Sequence, residues 1–232
     1  MTVTAPDIVY VNRTGDNPEL RYSLRTLSNV PHGTVHIAGY VPPWVKNVNG
    51  IAVTPSANKY RSMEANLQAA LLSDEVSDPF YLFNDDFFIL KKMQKIPTLH
   101  RGLLQDVIDS YAVRSVGNRL TGLRQAQSLL QGLGVEEPLY CYEMHSPLLV
   151  QKEGMLETLS LRGSINVYML RTVYGNLLKI GGTQSSDVKV YRGIDHGYTQ
   201  QKLLSTTDIG FKYQRVGFWL KDKYPVPSSY EQ

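Results

Sequence analysis

Short β-branched apolar runs alternating with helix-like stretches occupy residues 1–100, and this alternation most restricts the fold. Asp7-Ile8-Val9-Tyr10-Val11 reads as a buried strand. A polar, glycine-containing loop follows, with Arg13 in it, and Pro18-Glu19 then suits the first turn of a helix carrying Leu20, Leu24 and Leu27. Thr34 to Ala38 and Gly50 to Thr54 read as further strands, with the turn Pro42-Pro43-Trp44 between them. Tyr60 to Leu72 has helical spacing, and Pro79 to Phe83 is apolar throughout, as in a strand covered on both faces. Repeated strand–helix–strand order predicts an α/β fold built on a twisted, mostly parallel sheet.

The second half is more helical. Leu103 to Tyr111, Val113 to Leu133, Lys152 to Leu159 and Ile165 to Leu178 carry helix patterns, and Leu139 to Tyr142 reads as a short strand. From Gly181 onward only short strands are expected, ending in an extended tail at Pro225 to Ser229. With 232 residues, 42% of them hydrophobic, the chain suits one domain over 1–232, its first 100 residues alternating strand and helix and 101–232 more helical. No apolar run is long enough to span a bilayer, and no signal peptide is evident. The single cysteine, Cys141, reads as a packing residue and fits a reducing compartment, so a cytoplasmic location is expected. The net charge of +3 is spread along the chain, unlike the concentrated basic stripe of a DNA binder.

Phe83-Asn84-Asp85-Asp86-Phe87-Phe88 is the strongest chemical signal. Two adjacent carboxylates follow an apolar strand and are bracketed by aromatics. Beyond a strand's carboxyl end is where an open α/β sheet binds ligands. Ionised carboxylates against an apolar wall need a positive compensator, and Mg²⁺ or Mn²⁺ shared with a nucleotide diphosphate is one. The alternative is an acidic turn. Arg21 and Arg25 share a helix face and could hold phosphate oxygens, or form a solvated face. His145 follows the short strand and precedes a proline, a place for a proton acceptor or a structural imidazole. Arg171 lies in an otherwise apolar helix, where it needs an anionic partner. The other histidines have no zinc spacing, and the chain has no GxxxxGK[ST], GxGxxG or GxSxG motif.

In order along the chain, these segments resemble the Stealth family of sugar-phosphate transferases, which includes bacterial capsular polysaccharide phosphotransferases and the lysosomal-enzyme N-acetylglucosamine-1-phosphotransferase. Glu19-Leu20-Arg21-Tyr22-Ser23-Leu24-Arg25-Thr26-Leu27 is similar to the family's ELRYSLRSL block, and Tyr81 to Phe88 resembles YLNDDVF. Asp7-Ile8-Val9-Tyr10 looks like the start of DIVYTWVDGSD, and Pro42-Pro43-Trp44 like IPSWL. The family's NS-x-AIESH is replaced by Arg61 to Leu67, and the chain, shorter than typical members, resembles a compact, phage-type variant. The resemblance covers about residues 7 to 90 well and 140 to 190 weakly. It implies a GT-A-like fold, with 1–100 as a nucleotide-binding half and 101–232 as a helical acceptor-side half, and a nucleotide-sugar donor whose sugar-1-phosphate passes to an acceptor hydroxyl on a glycan, protein or modified DNA base. Two alternatives stay open: transfer of the sugar itself, and a non-catalytic sugar-nucleotide-binding module. The implied site has Asp85 and Asp86 on Mg²⁺ or Mn²⁺. Donor binding falls to Asp7, Arg13, Arg21, Arg25, Lys59, Arg61 and Asn84, and catalysis to Asp86, His145 and Arg171.

Overall fold

A computed structural model describes residues 5–15, 17–53, 59–114, 117–191 and 197–232, with the side chains of 59–61 outside that description. In chain order the elements are β1 (Asp7–Asn12), α1 (Pro18–Thr26), β2 (Val35–Gly39), β3 (Asn49–Ile51), α2 (Lys59–Leu72), β4 (Phe80–Phe83), β5 (Phe87–Ile89) and β6 (Leu99–His100). Then come α3 (Leu104–Val113), α4 (Gly117–Gly132), β7 (Leu148–Val150), α5 (Lys152–Ser160), α6 (Leu170–Leu177) and β8 (Thr183–Gln184). The last are β9 (Lys189–Val190), β10 (Leu203–Thr206), α7 (Asp208–Tyr213) and α8 (Arg215–Lys223). The chain is mixed α/β, as its alternation predicts. It divides into two compact units rather than sequential halves: Met1–Ile96, His145–Lys152 and Val188–Gln232 make the first, and Pro97–Met144 with Glu153–Asp187 the second. The first unit is one that the chain leaves and re-enters. Strand pairing is the cause, because β7 completes one sheet and β9 and β10 another.

The main sheet of the first unit has the order β3-β2-β1-β4-β7. β1 pairs in parallel with both β2 and β4, β2 pairs in parallel with β3, and β7 closes one edge antiparallel to β4. β1 and β4 are buried along their whole length, which explains their unbroken apolar sequences. The chain runs outward from β1 to β2 and β3, then returns on the other side of β1 as β4. The strand order thus reverses between β1 and β4, and the elements that follow these two strands, α1 and β5, pack on each other, the Ile89 N–H donating to Thr26 Oγ1 at 3.0 Å.

A smaller sheet, β5-β10-β9, follows directly from the acidic turn. β10 is antiparallel to β5 and parallel to β9. Phe88, Val190, Leu204, Phe211, Val216 and Leu220 fill a core that joins this sheet to α7 and α8. The sequence reading missed both helices, since glycines at 210 and 217 weaken the helical signal. Thr207 caps α7, its Oγ1 accepting from the Gly210 N–H at 3.0 Å. The expected loose tail is also docked: the Lys46 N–H donates to the Tyr230 carbonyl at 3.0 Å and the Gln232 N–H to the Trp44 carbonyl at 2.9 Å.

In the second unit, α3, α4 and α6 enclose Leu104, Ile108, Leu123, Leu130, Met169 and Val173. Cys141 is fully buried in this core, and burial pushes its thiol pKa up. The strand expected at Leu139 to Tyr142 is reduced to one antiparallel bridge between Leu103 and Tyr140. Among the described residues, no helix is long and apolar enough to cross a membrane.

Candidate functional site

The carboxyl ends of β1 and β4, where the strand order reverses, bring together the residues that follow each strand. β1 ends at Asn12 and delivers Arg13; β4 ends at Phe83 and delivers Asn84, Asp85 and Asp86. The Asn84 carbonyl accepts from the Phe87 N–H at 3.3 Å, so the turn is tight and β5 starts at once. Both aspartates are pinned between two strands and sit mostly buried, their side chains 17% and 14% exposed.

Their surroundings differ. Asp86 Oδ2 accepts from Lys189 Nζ at 3.0 Å and from Ser205 Oγ at 2.6 Å. Asp85 Oδ2 is buried without a hydrogen-bond partner among the described residues, with Arg13 Nε at 3.7 Å. Burial, reinforced by the Asp86 charge, pushes the Asp85 pKa up to about 7 against the pull of Arg13. Arg13 is shared: its Nη2 donates to Asp208 Oδ2 at 2.8 Å, at the start of α7, and that bond lowers the Asp208 pKa. Glu19, in the first turn of α1, adds a further carboxylate. It is 2% exposed, neither oxygen has a hydrogen-bond partner among the described residues, and burial raises its pKa. Four carboxylates thus influence one another here, with Arg13 and Lys189 as the cations bonded to them and Lys212 acting on Glu19 and Asp208. Such a site is short of positive charge.

His145 reaches the same end of the sheet by topology. The β4–β7 register ends at Leu82 opposite Leu148, so the residues before Leu148 run past the strand end from which Asn84 departs. Its ring meets that of Tyr191 edge-on at 6.2 Å, just after β9.

Other expected site residues are placed elsewhere. Asp7 begins β1, at the opposite end of the strand, and acts as a structural tie. Its Oδ1 accepts from the Thr34 N–H at 2.7 Å, and its Oδ2 from the Ser77 N–H at 2.8 Å, with His36 Nε2 at 3.1 Å. Arg21 and Arg25, expected on phosphate, instead hold Glu231 of the tail. Arg21 Nη1 donates to Oε2 at 2.7 Å, and Arg25 grips both oxygens at 2.8 Å. Burial would raise the Glu231 pKa, but Arg25, Ser228 and Arg21 bring it down to about 2. Asn84 shapes the turn through its backbone. Arg171 belongs to the second unit, where its Nη1 donates to the Met144 carbonyl at 3.0 Å. The side chains of Lys59 and Arg61 lie outside the described residues.

Sequence reasoning did not assign Glu19, Lys189, Ser205 or Asp208 to the site. Glu19 stood in the ELRYSLR block as an acid in a helix first turn. Lys189 and Ser205 reach Asp86 only through strand pairing across 103 and 119 residues, which no local pattern announces.

Among the described residues, no three His, Cys, Asp or Glu side chains are grouped to hold a metal by themselves. Asp85 and Asp86 nevertheless fit a hard divalent cation, which usually takes one or two carboxylates and fills its other sites with phosphate oxygens and water. Searched against models of known families the chain matches none, and no curated protein matches its sequence.

Proposed function

We propose that this chain is a transferase that takes a nucleotide-activated sugar and moves its sugar-1-phosphate to an acceptor hydroxyl. One observation supports the reading above others: Asp85 Oδ2, beside Asp86 at the turning point of the α/β sheet, is buried and has no hydrogen-bond donor among the described residues. A buried ionised oxygen without a donor costs free energy unless a ligand completes it. The ELRYSLR and NDD blocks support the same reading, because the first supplies Glu19 and the second the aspartates.

Asp85 and Asp86 are the residues that would hold Mg²⁺ or Mn²⁺. Such an ion neutralises the diphosphate and eases departure of the leaving oxygen. Arg13, at the rim, would meet donor phosphate after exchanging its contact with Asp208. His145 takes the proton from the acceptor hydroxyl. The acceptor oxygen then forms a bond to the sugar-bearing phosphorus, and the bond from that phosphorus to the nucleoside monophosphate breaks.

The test is incubation with Mn²⁺, a panel of nucleotide sugars and simple hydroxyl acceptors. Release of nucleoside monophosphate with a sugar phosphodiester is expected, and Asp86→Asn should lower turnover roughly 100-fold or more. Release of nucleoside diphosphate would assign transfer of the sugar alone. If no donor is consumed and no nucleotide raises the melting temperature, the reading is wrong.

A further inference from the structure

Lys189 is the cation bonded to Asp86, at 3.0 Å. Its placement is dictated by two strand registers. Ser205 of β10 pairs with Lys189 of β9 on one side and with Phe87 of β5 on the other. Phe87 directly follows Asp86, so Lys189, Ser205 and Asp86 meet in one row at the end of the smaller sheet. Ser205 is fully buried, and the Lys189 side chain is 16% exposed.

An ammonium has three donors. Among the described residues, Lys189 uses them on Asp86 Oδ2 alone, at 3.0 Å. Ser205 occupies that same oxygen, so both donors approach Asp86 from one side. The other oxygen of Asp86 is thereby left for a different partner, and two donors of Lys189 remain for a group brought beside Asp86. A diphosphate carries more negative charge than a single divalent ion cancels. Arg13 is already divided between Asp208 and Asp85. Lys189 is the cation whose bond to Asp86 would not need to break.

We propose that Lys189 is a donor-binding residue whose ammonium, held in place by Asp86, donates to a phosphate oxygen of the nucleotide diphosphate. This rests on the transferase reading for the identity of the ligand, but on the β5–β10–β9 registers for its position. Lysine suits the task as a compact point charge that can bond a carboxylate and a phosphate together.

The experiment compares wild type with Lys189→Met and Lys189→Arg. Calorimetric titration with nucleoside diphosphate in Mn²⁺ should show binding weakened at least roughly tenfold in the methionine variant and partly restored in the arginine variant. KM for the nucleotide sugar should rise in parallel. Titration with Mn²⁺ alone should be undiminished, because removing a neighbouring cation cannot weaken a cation site electrostatically. A purely structural Lys189 would instead depress Mn²⁺ and nucleotide binding together, or neither, and either result overturns the proposal. Should Lys189→Met fail to fold, Lys189→Arg alone must shift nucleotide affinity without shifting Mn²⁺ affinity. If wild type consumes no nucleotide sugar, the transferase reading fails separately. Inorganic pyrophosphate then serves as the probe: weaker binding by Lys189→Met supports the lysine's role, and equal binding or none by either protein refutes it.

Discussion

Asp85 shows how a single side chain can work against the stability of the protein that carries it. Its carboxylate is mostly buried, unpartnered at Oδ2, and raised to about 7 by burial and by Asp86. Against an ordinary value of 3.8, that displacement corresponds to roughly 4 kcal/mol of unfavourable ionisation. Replacing the charge while keeping the shape should therefore help the fold and harm the chemistry. Asp85→Asn is expected to melt several degrees above wild type at pH 7.5 in chelator, at roughly 2–4 °C per kcal/mol. Mn²⁺ should raise the melting temperature of wild type and leave Asp85→Asn where it was. Equal stabilisation of both by Mn²⁺ would remove Asp85 from the metal site. The aspartate pair was legible in the sequence because apolar residues on both sides make its charge conspicuous. Arg13 was legible because it follows directly on a strand. Glu19 was half visible: its helix position was read, but its burial depends on what α1 packs against.

At the scale of elements, the fold was legible wherever neighbours in sequence pair or pack. β1, α1, β2 and β4 lie within a few residues of where periodicity puts them. α7 and α8 were not seen, and Gly217 explains why. It lowers helix propensity, yet the two helices approach so closely there that a Cβ would collide with the carbonyl oxygen and backbone of Phe211. The residue that weakens the local signal is the one the packing requires. Phe211 in turn stacks on Phe88 of β5 with rings at 6.2 Å and 6° apart, so the contact supports the strand that follows Asp86. Gly217→Ala should destabilise the protein by about 3 kcal/mol or more, since backbone cannot move aside as a side chain can. Urea unfolding would show it as a lower midpoint at unchanged slope. An effect below about 0.5 kcal/mol, the range of an ordinary surface change, would mean that the close approach is not there.

For the whole molecule, the sheet order follows from apolar strands joined by crossovers, but the return of residues 188–232 to the first unit does not, because its strands β9 and β10 are short and find partners far away in sequence. The same return brings Glu231 onto Arg21 and Arg25, with its side chain fully buried. Displaced carboxyl groups of opposite sense thus set a pH profile: Asp85 and Glu19 are raised, Glu231 and Asp208 lowered, and Asp208 acts in the same direction as Glu231. Glu231 has a folded value of about 2 against 4.5, so its contribution is complete above pH 4.5 and is lost as pH falls toward 2. Asp85 has a folded value of about 7 against 3.8, so its neutral form favours the fold at low pH, and that advantage is lost as pH rises from about 4 to 7. Glu19, also raised, acts in the same direction as Asp85. In chelator, these groups together place greatest stability near pH 4 to 5, below the usual neutral range. Melting temperatures across pH 2 to 8 should fall on both sides of that maximum. Asp85→Asn should flatten the limb above pH 5, and Glu231→Gln the limb below it, each leaving the other limb in place. Saturating Mn²⁺ should raise the neutral limb of wild type alone, because the ion binds the ionised aspartate and reverses the cost of forming it. A single maximum at neutral pH, unmoved by either substitution, would contradict both the burial of Asp85 and the clasp on Glu231.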